Sequence, residues 1–125
     1  MIIESDLFIK LISWFMKPTA ITLWPFIIIS PTRLTELAKA KHRDRKNLEI
    51  ELLRHEYIHY KQQKELFLIG FYVLYIYYFL KQYLKYKNTY IAYHKIPFEV
   101  EAHLYQDSIF YILEREKYAW RKYVS

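Results

Sequence analysis

Residues 66–80 read LFLIGFYVLYIYYFL, fifteen positions without a charge, and this run constrains the fold more than any other segment. A helix that spans a bilayer needs about 20 such residues, and Glu65 and Lys81 clip this one short. Tyr72, Tyr75, Tyr77 and Tyr78 favour an interface over a bilayer centre. Three readings follow: a short span, a helix lying in a membrane interface, or a helix buried in a core. Gly70, the only glycine of the chain, falls inside the run. Glycine costs about 1 kcal/mol in a helix interior, which predicts a bend or break there.

The rest of the chain can build a core around this segment. Of 125 residues, 54% are hydrophobic and 26% charged, which excludes a disordered chain. One domain, 1–125, is expected from the length. With no cysteine, a disulfide framework, a zinc ribbon and a thiol nucleophile are excluded, and any metal must be held by His and carboxylates. The net charge is +6, and basic residues cluster at 39–46 and at Lys81, Lys85, Lys87 and Lys95. A basic balance favours nucleic acid or an anionic membrane surface. Neither cluster carries the fingerprint of a nucleic-acid-binding fold, so nucleic acid is not expected as a partner, and a membrane surface stays open as one.

The N-terminus lacks the pattern of a secretory signal. Its first charges are Glu4 and Asp6, Lys10 interrupts the apolar run, and Lys17-Pro18 stands where a small-residue cleavage site belongs. A cytoplasmic location, peripheral to the inner membrane, is the expectation.

The pattern predicts a mainly α fold with a short β element. Ser5 or Asp6 caps an amphipathic helix within 1–17, with Leu7, Phe8, Leu11, Ile12 and Phe15 on one stripe and Trp14 and Lys10 at its edge. Residues 20–30 are β-branched and aromatic and read as an edge strand or hairpin, because Pro25 cannot donate to a ladder. A weak helical turn falls near 35–40. Asn47 caps a helix over 48–68, an aromatic helix covers 71–86, Asn88 and Thr89 break the pattern, and Pro97 opens a last helix over 97–118.

The chemistry sits in His55-Glu56-Tyr57-Ile58-His59. Two His at i and i+4 share one helix face and can meet one ion. Glu56 is offset by one residue, where it can face a water on that ion without ligating it. Zinc lowers the pKa of such a water to about 7, and a Glu can take its proton. Two His hold a metal loosely, so a third ligand is needed. The candidate segment is Ile96-Pro97-Phe98-Glu99-Val100-Glu101-Ala102-His103. Pro97 places Glu99 in the first turn of a helix, with His103 on the same face, where it can sit behind the site and orient a ligand. Glu101 points elsewhere and ligates only if that helix is rotated by more than half a turn.

HEYIH followed some forty residues later by EVEAH resembles the gluzincin clan of zinc peptidases. The resemblance implies His55, His59 and Glu99 as zinc ligands, Glu56 as general base, and a minimal zincin-like helical domain in which the active helix is followed by a ligand-bearing helix. His103 stands where that clan usually has an Asp behind the ligands. The longer string Pro25-Phe26-Ile27, His55 to His59 with Gln62-Gln63, Ala92-Tyr93 and Phe98 to Ala102 is similar to small bacterial zinc-peptidase-like proteins. The implied activity is hydrolysis of a peptide or protein substrate. Tyr93, or else Tyr90 or His94, lies shortly before Glu99 in the chain and is the candidate for a hydrogen bond to the developing oxyanion. The alternatives are a zinc-binding protein without catalysis and a membrane-surface interaction module. A di-iron bundle is disfavoured, because it needs a second E-x-x-H and Glu99 to His103 is one residue too long.

Overall fold

Ser30 and Pro31 show how local chemistry sets the first half of the fold. The computed structural model describes residues 2–12 and 19–124, and helix begins directly after Ser30. The Ser30 hydroxyl accepts from the Arg33 N–H at 3.2 Å, and Pro31 takes the first helical position, where its missing N–H costs nothing. The weak turn expected near 35–40 is thus a full helix, α2 (Pro31–Ala40). Before it come β1 (Ile2–Glu4), α1 (Asp6–Ile12), β2 (Ala20–Leu23) and β3 (Phe26–Ile29). After it come α3 (Arg45–Tyr86), α4 (Thr89–Lys95), α5 (Pro97–Tyr105), α6 (Tyr111–Glu114) and a 3-10 turn, Ala119–Tyr123. The protein is mainly α with a short β element.

Several boundaries differ from the sequence expectation. The N-terminal helix is shorter than 1–17, because Ile2–Glu4 pairs in parallel with β3. Ser5 caps α1, its hydroxyl accepting from the Phe8 N–H at 3.1 Å. Residues 13–17 of the expected helix, Trp14 included, lie outside the described residues. Of the two forms expected for the 20–30 segment, edge strand or hairpin, the structure has the hairpin. Pro25, in a cis Trp24–Pro25 bond, takes the turn. That frees Phe26–Ile29 to be the central strand, in the order β1-β3-β2, with β1 and β2 at the two edges. Ile27 and Ile29 point to one side of the sheet and join Leu34, Ala38 and Leu48 in a core cluster.

The helices expected at 48–68 and 71–86 form the two halves of α3, on either side of a kink, and the first is capped by Asp44 instead of Asn47: the Asp44 carboxylate accepts from the Asn47 N–H at 3.2 Å. Its break is at Phe67 (φ 57°, ψ 158°), three residues before Gly70. A Cβ at Gly70 would meet Leu66 at 3.7 Å, an ordinary contact, so neither strain nor crowding demands glycine there. The redirection at Phe67 turns the second half of α3 onto a second core cluster, Phe71, Ile96, Phe98 and Trp120. Lys87, left-handed at φ 55°, ends α3, and Asn88 starts the next helix, its side chain accepting from the Ile91 N–H at 3.0 Å and opening α4, a helix the sequence pattern left out.

The last helix stops at Tyr105, well short of 118. A continuous helix would carry position 115 about 21 Å from position 101. In the fold, Arg115 instead returns to form an ion pair with Glu101 and reaches Glu65 at 2.9 Å. The side chains of all three are at most 9% exposed. Burial of this triad selects the reversal over helix continuation. The candidate site lies on α3 between the two core clusters.

Candidate metal centre

His55 and His59 leave α3 one turn apart, and their Nε2 atoms lie 3.1 Å from each other. Pro97 starts α5 so that Glu99 enters from its first turn, and its Oε1 lies 3.1 Å from each Nε2. His55, His59 and Glu99 are 7%, 5% and 4% exposed. Donors on a tetrahedral ion with bonds of about 2.0 Å stand about 3.3 Å apart, so this triangle fits a small divalent cation. Among the described residues this is the group of His and carboxylates whose donor atoms converge.

The tautomers of both imidazoles follow from their outer partners. Gln62 donates through Nε2 to the Phe98 carbonyl at 3.1 Å and to Glu101 Oε1 at 3.0 Å, which turns its carbonyl oxygen toward His59. That oxygen can only accept, so His59 Nδ1, at 2.8 Å, carries the proton. Gln106 repeats the arrangement. Its Nε2 donates to Glu51 Oε1 at 2.8 Å, and its carbonyl oxygen meets His55 Nδ1 at 2.9 Å. With Nδ1 as the donor, each ring in its neutral form aims an Nε2 lone pair at the shared centre. Glu99 is oriented in the same way, with the Tyr75 hydroxyl donating to Oε2 at 2.7 Å and leaving Oε1 for the centre.

The three charged groups shift one another's protonation. Burial pulls the His59 imidazole down, but the charge of Glu99, the hydrogen bond with it and the nearby Glu56 outweigh burial and raise the pKa to about 9. Burial pushes Glu99 up, but the charge of His59 and the hydrogen bonds of both imidazoles hold the carboxyl well below the usual range. Glu56, 6% exposed, is pushed up chiefly by burial, against the pull of His59 and His55. Its Oε1 accepts from the Thr22 hydroxyl at 3.2 Å, and the same hydroxyl lies 2.9 Å from the Glu56 carbonyl. Edge strand β2 is itself clamped to α3 by Gln63. The Gln63 amide donates to the Thr22 carbonyl at 2.7 Å, and its oxygen accepts from the Trp24 N–H at 2.6 Å.

The remaining expected residues also have definite places. His103 donates from Nδ1 to the Glu99 carbonyl at 2.8 Å and packs edge-on against the His55 ring, with centroids 4.6 Å apart. It supports the ligands by packing, while Gln62, Gln106 and Tyr75 hold them by hydrogen bonds. The Tyr93 hydroxyl interacts with the Glu99 carboxylate, and burial raises its pKa, keeping it protonated. Tyr90 is 71% exposed, and His94 packs between the rings of Tyr90 and His103. Glu101 is fully buried in the Arg115 network, away from the ligand triangle. Sequence reasoning assigned no role to Gln62, Gln106, Tyr75 or Thr22. Gln62, three residues after His59 on the same helix, and Gln106, two turns after Glu99, carry a signal of spacing; Tyr75 and Thr22 carry none.

The chain matches no protein-family model, no curated protein and no solved structure.

Proposed function

We propose that the protein is a zinc-dependent hydrolase of peptide bonds. The observation that carries this reading is the convergence of His55 Nε2, His59 Nε2 and Glu99 Oε1 beside a buried Glu56 whose pKa is raised. Two imidazoles and a carboxylate suit zinc, and three protein ligands leave the fourth position open, as catalytic zinc sites do. Zinc at this centre would supply an acidified water and a positive charge for the developing oxyanion.

The chain's own residues do the rest. His55, His59 and Glu99 would hold the ion, and Gln62, Gln106 and Tyr75 keep them aimed at it. Glu56 accepts a proton; its raised pKa makes it a stronger base than an exposed carboxylate. Thr22 fixes its orientation. Tyr93, protonated and beside Glu99, donates a hydrogen bond to the substrate oxygen as charge develops. His103 packs behind His55.

A second reading, a zinc centre without catalysis, is favoured by the near-complete burial of the three ligands. Metal analysis and peptide turnover separate the two. In the hydrolase, the wild type carries zinc and cleaves a mixed peptide library, His59→Ala loses zinc, and Glu56→Gln keeps zinc but loses turnover. Zinc without turnover selects the second reading, and purified wild type that takes up no divalent metal overturns both.

A further inference from the structure

The second half of α3 has two unlike faces. Its inner face, with Phe71, Tyr75, Tyr78 and Gln82, is turned into the protein. On its outer face, Ile69, Val73, Ile76, Leu80 and Leu84 are 79%, 61%, 58%, 51% and 66% exposed. Their spacings of four, three, four and four residues place them on a single stripe. Phe67, 80% exposed at the kink, begins the same surface. α3 is long and apolar enough to cross a membrane, yet only 11% of its most apolar window is buried. Apolar surface of this extent is costly in water and marks an interaction site.

Charge identifies what covers it. From 66 to 98 there is no Asp or Glu, while Lys81, Lys85, Lys87 and Lys95 follow the apolar run. Lys85 and Lys95 flank the Tyr86 ring, with ammonium groups 5.3 and 5.9 Å from its centroid. An apolar stripe with lysines and tyrosines at its border, on a segment that itself carries no acid, complements the acyl boundary and headgroups of an anionic bilayer. We propose that the outward face of residues 67–86 docks in the plane of an anionic membrane surface. A transverse span does not fit, because the opposite face of the helix carries α4 and α5 with Lys95, His94 and the Tyr75–Glu99 contact. The proposal is independent of the metal reading.

Flotation of the full chain with vesicles tests it. The protein should float with equimolar phosphatidylcholine and phosphatidylserine, and far less with phosphatidylcholine alone. Ile76→Glu combined with Leu80→Glu should abolish flotation while circular dichroism and thermal stability stay unchanged, since both positions face outward. Each Lys→Gln change at 81, 85 and 87 should lower partitioning by about fivefold, and salt should do the same to the wild type. His59→Ala should float like the wild type, which keeps this test separate from the metal site. Three results overturn the proposal: no flotation with either vesicle, resistance to an alkaline carbonate wash, which marks a span, or a dimer that the Ile76/Leu80 variant dissolves in a protein that ignores lipid.

Discussion

The side-chain oxygen of Gln62 accepts a hydrogen bond from Nδ1 of His59 at 2.8 Å, and the amide nitrogen of the same residue donates to Glu101 Oε1 at 3.0 Å. One glutamine thereby ties the ligand imidazole to the buried ion-pair network around Arg115. The direction in which His59 points is a property of the folded core as much as of the helix that bears it. Replacing Gln62 with Met removes the acceptor that fixes the tautomer. Zinc affinity should fall by about 10- to 100-fold, the usual size for loss of an outer partner of a metal ligand. Competition with a chromophoric chelator measures it. Gln106→Met should show a similar loss with less effect on folding, because Gln106 is only part-buried. Unchanged affinity in both variants would remove the orienting role.

The protonation of His59 sets a pH dependence. Its folded pKa of about 9 stands above the ordinary 6.5. In the metal-free protein the proton's contribution to stability is therefore fully present below pH 6.5 and is lost as pH rises through about 9. The Tm of chelator-treated protein should fall across that window. Zinc requires the neutral ring, so its affinity should rise over the same window, and binding at pH 7 should release about one proton. Calorimetry in buffers of different ionisation heat reads that proton directly. An affinity flat in pH would contradict the assignment.

Arg115 bridges two buried carboxylates. It contacts Glu101 through Nε and Nη2 and Glu65 through both terminal nitrogens, while the Tyr111 hydroxyl donates to Glu101 at 2.7 Å. Arg115→Met leaves Glu101 and Glu65 without their cation. The expected loss is about 3–5 kcal/mol of stability, the cost of stranding a buried charge, read from urea unfolding. Because Glu101 also holds Gln62, the variant should bind zinc more weakly even where it remains folded.

Phe67 holds φ 57° and ψ 158°, a region that favours glycine, with its side chain 80% exposed. Such backbone strain costs about 1–3 kcal/mol. Phe67→Gly relieves it at a cost of about 1 kcal/mol in unfolded-chain entropy, so a net gain of about 1 kcal/mol is expected. A rise in Tm with unchanged zinc content checks this, and a clear loss of stability would place the kink elsewhere.

The kink also shows why parts of the fold escaped the sequence pattern. Gly70 is the residue that local propensity selects for a break, yet the break falls where the two halves of α3 must face different cores, at Phe67. Pro25 was read correctly as unable to donate to a ladder. A hairpin turning at Pro25 was within that reading; what the sequence context does not reveal is that Ile2–Glu4 pairs on the far side of Phe26–Ile29 and makes it the central strand. Asn88 reads as a stop, but Lys87 closes α3 and Asn88 is the start of α4.

By itself, the sequence determined whatever depends on neighbours within a few residues. The i, i+4 spacing of His55 and His59 puts both rings on one face of any helix, and Pro97 at the first helical position puts Glu99 in the opening turn of α5. Tertiary structure alone decided the rest: the approach of Glu99 to both imidazoles across forty residues, the glutamines and tyrosine that orient all three, and the reversal after Tyr105 that delivers Arg115 to Glu101. These contacts join segments whose separation along the chain carries no periodic signal. Their energy comes from burying charges and amides only where a partner meets them, and that condition is satisfied by the assembled fold and by no segment alone.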